Sequence, residues 1–300
     1  MKRDPPPLAG VAAVAQRLAV LLAAGVAPAS AWMHVADGSV SPVPEAVVGR
    51  GEVESTILET CASLPALEAE GWRGLAASWA VATESGTPLA PSLRDYAASL
   101  RSLAQAQRDV QVALAGPVAT ARMVMALPLV GVLFGLVLGF NTLATLFTTP
   151  PGWVCLVVGG ALMLGAARWN SRLVRQAQPS EASPGLEFEL MAIAVSGGGS
   201  LDKARAALDS AVIRFELQAH PDRVDPVLDL SRRAGVPAAE LLRSEAHEAR
   251  RLASADAREK AETLSVRLML PLGLCVLPAF MVLGVLPLMI SVISTTVSGF

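Results

Sequence analysis

The chain has 300 residues, a formal net charge of −2, and 53% hydrophobic against 17% charged residues. A mean hydropathy of +0.49 is too apolar for an ordinary soluble protein and implies a membrane. The near-neutral charge provides no concentrated basic face, so nucleic acid is not an expected partner.

The chain opens with MKRDPPPLAGVAAVAQRLAVLLAAGVAPASA, which has the basic start, apolar stretch and small residues of a secretory leader. Asp4 and the prolines after it, and Gln16 and Arg17 inside the apolar stretch, favour a helix of a first polar domain instead. Within this stretch RLAVLLAAGVAPASA (17–31) reads as a short helix that ends at glycine and restarts at Pro28. Glycine takes the left-handed conformation that ends a helix, and proline is pre-set for the first turn of the next.

The same device follows in ESGTPLAPSLR (84–94), where Gly86 stops one helix, Pro88 starts another and Thr87 is placed to cap it. A long polar helix, LRDYAASLRSLAQAQRDVQVAL, then runs into the apolar segment Met123–Phe147. That segment carries no charge and is long enough to cross a bilayer. Gly131, Gly135 and Gly139 recur every four residues along it, a pattern that lets another helix approach closely, either inside the chain or from a second copy. Asn141 is the strong polar side chain within this segment, a candidate for an interfacial hydrogen bond or a contact with a membrane-embedded helix. After the uncharged turn TTPPG, Trp153–Ala167 is a second, shorter span, with Trp153 and Trp169 at its two interfaces.

A second polar segment repeats the first. LMAIAVSGGGSLDKA (190–204) is another helix–glycine–helix passage, with the new helix beginning near Ser200, and RAGVPAAELLR (233–243) matches residues 84–94 at Gly235, Pro237, Leu242 and Arg243. Val236 cannot cap, so packing must hold that turn. The long helix that follows shows an apolar stripe, Leu242, Ala246, Ala249 and Leu252 or Ala253, with charged pairs such as Asp256 with Lys260 and Arg258 with Glu262 elsewhere. Residues 268–292 form a third charge-free span, in which Pro271, Pro278 and Pro287 are expected to kink the helix rather than break it.

Arginine and lysine flank the spans on one side only: Arg122, Arg168, Arg172, Arg175, Arg258, Lys260 and Arg267. Positive residues are retained in the cytoplasm, so both polar segments are expected there and the C-terminus outside. The expected architecture is an all-α integral membrane protein. Residues 1–120 form a first cytoplasmic helical domain and 121–169 a transmembrane hairpin, with spans at about 123–147 and 153–168. Residues 170–266 form a second cytoplasmic domain, and 267–300 a third span with a short external tail.

No catalytic constellation emerges. His34, His220 and His247 are scattered, and Cys61, Cys155 and Cys275 have neither metal-ligand spacing nor a disulfide framework. The run SGGGS lacks the lysine and hydroxyl residue that end a phosphate loop. The expectation is a protein that is not an enzyme and takes no cofactor. Ionisable residues are absent from the spans, which weighs against an ion-coupled transporter, and the short outer segments weigh against a sensor. A permease-like subunit remains the alternative.

The order polar domain, span, turn, span, polar domain, span resembles the type II secretion F-domain family. The C-terminal stretch EARRLASADAREKAETLSVRLMLPLGLCVLPAFMVLGVLP looks most like the platform proteins of tight-adherence (Tad, or Flp) pili. One feature departs from the commonest tight-adherence pattern, in which membrane helices precede a single such domain. Here a polar domain comes first. The resemblance implies two antiparallel helical-bundle F domains in a multi-pass inner-membrane platform for pilus assembly or type II secretion. The implied partners are a separate secretion or pilus ATPase, a pilin or pseudopilin, and a second platform protein or a homo-oligomer within the lipid. For the ATPase contact, the charged residues Arg243, Glu245, Glu248 and Arg251 are the candidates.

Overall fold

A computed structural model describes residues 7–137, 147, 150–176, 183–287 and 289–290, which are helical with short turns and contain no strand among them. The chain divides into two compact units. The first comprises Met1–Arg108 with Pro179–Asp256, and the second Asp109–Gln178 with Ala257–Phe300.

In the first unit, α1 (Pro7–Ala23), α2 (Pro28–Ala36), α3 (Val43–Arg50), α4 (Val53–Cys61) and α5 (Ala66–Ser85) lead into α6, which begins at Leu89 and continues helical to Val137. From the later segment come α8 (Leu186–Ser196), α9 (Leu201–Arg214), a 3₁₀ turn at Pro221–Val224, α10 (Asp225–Ala234) and the start of α11 (Ala238–Arg267). The two polar segments, expected as separate bundles, contribute to one continuous core that includes Trp32, Trp72, Tyr96, Leu190 and Phe215. Helix α5 lies at its centre, buried on every side from Leu75 to Ala82, as a helix that is apolar all round must be. Leu8, Val11, Ala15 and Leu18 of α1 also lie in this core, so the stretch that resembles a leader is a structural helix.

Close packing depends on glycines of α5 and α8. A Cβ at Gly74 would lie 2.3 Å from the hydroxyl of Tyr96, and that hydroxyl donates to the Gly71 carbonyl at 2.7 Å. A Cβ at Gly197 would lie 2.0 Å from the Ser85 carbonyl oxygen. The SGGGS run is therefore a helix end pressed against the end of α5. Ser200 then caps α9 by accepting from the Lys203 N–H.

The repeat holds at residue level. Gly25 and Gly198, 173 residues apart, have φ of +83° and +78°, and the helices after them begin at Pro28 and Leu201, also 173 apart. Gly86 and Gly235, 149 apart, have φ of +70° and +68° and close α5 and α10. The first copy thus holds 24 more residues between its two turns, and it builds α3 and α4 there. Thr87 does not cap as expected. Its hydroxyl instead donates to the Ile193 carbonyl at 2.8 Å, joining one copy to the other. At the second turn the Ser231 hydroxyl donates to the Val236 carbonyl at 2.7 Å, a local bond that packing alone did not foretell. Along α11 the stripe continues through the half-buried Ala249 and Ala253, because Leu252 is 62% exposed.

In the second unit, α7 (Pro150–Gln176) packs against a helical run over residues 269–285, and Gly131 of α6 lies against the same run. Within the run, the α-helical Met269–Pro271 and Leu277–Phe280 alternate with π-helical Leu272–Val276 and Met281–Val285. Each π turn ends two residues before a proline, Pro278 or Pro287, and contains the residue four positions earlier, Leu274 or Leu283. A proline ring collides with that carbonyl in a regular α-helix, and widening the turn relieves the collision. The helical path continues past Pro278, whereas before Pro271 the preceding helix ends at Arg267 and Leu268 forms a turn.

Two helices among the described residues are long and apolar enough to cross a bilayer: Pro150–Leu173, of 24 residues, and Ala238–Val285, of 48. About a quarter of the most apolar part of each is buried within the chain. Met123, Leu127, Val130, Leu133, Phe134, Val157, Leu274 and Leu277 are all exposed in this unit. The helix that carries the second apolar segment is longer than that segment, because it runs past Ala167 through Arg168 and Arg172 to Gln176.

Candidate functional site

The start of α6, the middle of α8 and the start of α11 line a cleft of about 290 Å³ in the first unit. Its apolar walls are Ala98, Ala192, Ile193 and Ala246, and its polar groups are Asp95, Ser99, Ser102, Glu189, Arg243, His247 and Arg250. The groups converge because the glycine–proline turns start both long helices in the same direction. Asp95 and Arg243 then lie seven and six residues beyond Pro88 and Pro237.

Two charge pairs tie the helices together. Arg243 Nε lies 3.4 Å from Asp95 Oδ2, with both side chains about half exposed, and Arg243 Nη2 donates to Ser196 Oγ at 3.3 Å. Deeper in, Glu189 Oε2 accepts from Arg250 Nη1 at 3.1 Å and from Ser99 Oγ at 3.0 Å. The second pair is 7% and 13% exposed, so each ion loses most of its hydration and must recover it from its partner. Burial drives the Glu189 carboxyl above the usual carboxylate range, and Arg250 and Ser99 oppose it. Glu189 Oε1 has no hydrogen-bond partner among the described residues. Beside it the Tyr96 hydroxyl is raised by burial first and by the Glu189 charge second. Two residues earlier on α8, Glu187 is 3% exposed and pairs with Arg223 at 3.1 Å.

This arrangement braces the three helices. Its two acids and two arginines hold each other in pairs, and the cleft between the pairs is open to solvent. Cys61, the buried cysteine of this unit, has its thiol pushed up to about 11 by burial, which disfavours the thiolate, and the thiol donates to the Ala69 carbonyl at 3.5 Å.

The residues singled out in the sequence are distributed differently. Arg243 is in the cleft. Glu245 is exposed on another side of α11, and Glu248 and Arg251 pair with each other at 3.4 Å on its exposed surface. The four therefore do not form one patch. A Cβ at Gly131 would lie 3.0 Å from Phe280 and 3.4 Å from the Gly284 Cα, so this glycine packs inside the chain. Gly135 lies within α6, while Gly139 and Asn141 lie outside the described residues. Arg258, matched in sequence with Glu262, reaches Asp109 in the second unit. His34 and His220 are exposed, and His247 stands at the cleft wall.

Sequence reasoning missed Glu189, Arg250, Ser99 and Asp95. A signal was present for the first, because LEFEL places two acids in the helix that leads into the apolar run LMAIAV, and such acids must be paired. Which arginine pairs with which acid is set by the packing of three helices distant in sequence.

The second unit repeats the pairing on a smaller scale. Asp109 and Arg258 meet at the same 149-residue offset as the two turns, and Val110 packs with Ala257, Leu264 and Leu268. The long helices therefore run parallel and in register there.

Compared with known proteins, residues 14–137 match the family model for the type II secretion system (T2SS), protein F. The match covers the first copy of the repeat and the start of the first apolar segment. Comparison with curated proteins and with solved structures returned no match.

Proposed function

We propose that this chain is an inner-membrane platform of a filament-assembling secretion machine, of the tight-adherence pilus type. It couples a separate cytoplasmic ATPase to the extraction of pilin helices from the bilayer. The observation that carries this reading is the protein F match over residues 14–137, on a segment whose last helix runs unbroken from a polar, ion-paired bundle into an exposed apolar stretch. Three spans, with both polar copies in the cytoplasm and the C-terminus outside, complete the arrangement. The chain does mechanical work only through its partner, and continuous helices are suited to carry displacement from one compartment to the other.

The exposed Glu248–Arg251 pair is the better candidate for the ATPase contact than Arg243, which is engaged with Asp95. Exposed charges tune association more than they anchor it. A photo-crosslinking residue placed at Glu248 or Arg251 of the full chain, in its own membrane, should capture the ATPase. Deletion of the gene should abolish surface filaments. Capture of no ATPase from either position, together with normal filaments and secretion in the deletion strain, overturns the reading.

A further inference from the structure

Helix α7 has two unlike faces. Cys155, Gly159, Ala166 and Leu173 turn inward: Cys155 and Ala166 are buried, a Cβ at Gly159 would strike Leu283, and Leu173 packs against the cluster of Val110, Ala257, Leu264 and Leu268. The opposite face carries, at successive turns, Trp153, Val157, Gly160, Leu164, Arg168 and Arg172. Trp153, Val157 and Leu164 are each more than half exposed, and nothing lies within 4 Å of a Cβ built at Gly160. Arg168 and Arg172 are exposed, one turn apart, and neither has an ion-pair partner among the described residues. Trp169, 38% exposed, sits between them in sequence, where an indole marks the boundary between hydrocarbon and headgroups.

We propose that this face is a specific seat for an anionic phospholipid. Its phosphate lies between the Arg168 and Arg172 guanidinium groups, and an acyl chain runs along Leu164, the open step at Gly160, and Val157. Two features are matched at once. The unpaired guanidiniums present planar donor forks to a phosphate. The contiguous apolar track starts one turn below them, with a missing side chain where the chain must lie close to the helix. A free phosphate satisfies only the first feature and a zwitterionic lipid only part of it, so the occupant is a lipid with a net negative headgroup. Among the described residues of the second unit, the packed face of α7 is the Cys155–Gly159–Ala166 side, and this face is left exposed.

The inference rests on the proposed insertion of α7 in a bilayer. It is tested by native mass spectrometry of the full chain released from micelles supplied with equal phosphatidylglycerol and phosphatidylcholine, with Arg168→Gln/Arg172→Gln and Arg101→Gln/Arg108→Gln compared. A basic residue near an anionic surface strengthens association about fivefold, so the α7 double variant should lose about thirtyfold in phosphatidylglycerol affinity. The Arg101/Arg108 variant should match the native chain, and millimolar inorganic phosphate should not displace the lipid. Gly160→Leu, which fills the acyl track and leaves both arginines, should also weaken phosphatidylglycerol retention. Equal retention of both lipids by the native chain, or unchanged retention in the α7 double variant, overturns the proposal. A chain that stays soluble without detergent and retains neither lipid would instead refute the membrane reading beneath it.

Discussion

At Gly86 and Gly235 the backbone performs the same manoeuvre, with φ of +70° and +68°, yet the next residue is 9% exposed in the first copy and 41% exposed in the second. Thr87 reaches across to a carbonyl of the other copy, while the second turn is held locally by Ser231. The helices before the turns differ likewise. Helix α5 is enclosed from Leu75 to Ala82, whereas α10 buries only Val227 and Leu228. A repeated sequence device thus specifies the path of the chain, and the residues around it determine whether that path is core or surface. The first copy supplies most of the core, and the second leaves more of itself available to partners.

The largest effect that would break this comparison lies where the copies touch. Gly197→Ala places a methyl group on the Ser85 carbonyl, which belongs to a helix end and cannot swing aside. Overpacking of this kind should cost about 3 kcal/mol and lower the melting temperature of the full chain in detergent. Gly199→Ala, two residues on with open space, should cost far less. Equal losses would mean that the two copies do not meet as described.

Next in size, Thr87→Val leaves the Ile193 carbonyl without its hydroxyl partner and should cost about 1–2 kcal/mol, whereas Val236→Thr should change stability by less than about 0.5 kcal/mol. A large effect at Val236 would remove the asymmetry between the turns. Smaller still, Gly86→Ala and Gly235→Ala should each cost about 1 kcal/mol, because both glycines are left-handed with open space around the missing Cβ. Equality is the informative result here, since it separates the shared backbone from the unshared surroundings.

Much of this pattern was legible in the sequence. The glycine–proline turns, the start of a helix after Ser200 and the passage of α6 into an apolar segment follow from local chemistry, and local chemistry repeats visibly. The joining of both copies in one core was not legible, because α5 meets α8 through Gly197 and Ser85, residues with no side-chain signature for one another. The cleft was partly legible: two acids at the head of an apolar helix announce burial, but Arg250 looks like any other arginine on α11. Gly131 illustrates the opposite limit, since a small-residue face reads the same whether it receives a helix of its own chain or of another.

The smallest predicted effect is a pH dependence. The folded state raises the Glu189 pKa above its ordinary value of about 4.3, so the native chain holds a proton that the unfolded chain releases. Relative to Glu189→Gln, the native protein should therefore be most stable below that ordinary value and lose the advantage as pH rises through the raised one. The groups facing this carboxyl are Ser99, Tyr96 and Asp95 on α6 and Arg243, His247 and Arg250 on α11. Melting curves of both proteins across this range read the sign directly, and an advantage that grows with pH would show that the Arg250 charge outweighs burial.

The central claim is that two copies of one helical unit share a side of the membrane, joined by spans to a nearly bare opposite side. It is tested most directly by single cysteines at Ser102, Ser244, Thr149 and Ser298 in a cysteine-free chain, exposed in intact cells to a membrane-impermeant thiol reagent. The account predicts labelling at Thr149 and Ser298 only, with Ser102 and Ser244 reacting once the cells are permeabilised. Labelling of either Ser102 or Ser244 in intact cells would put one polar copy outside and contradict it.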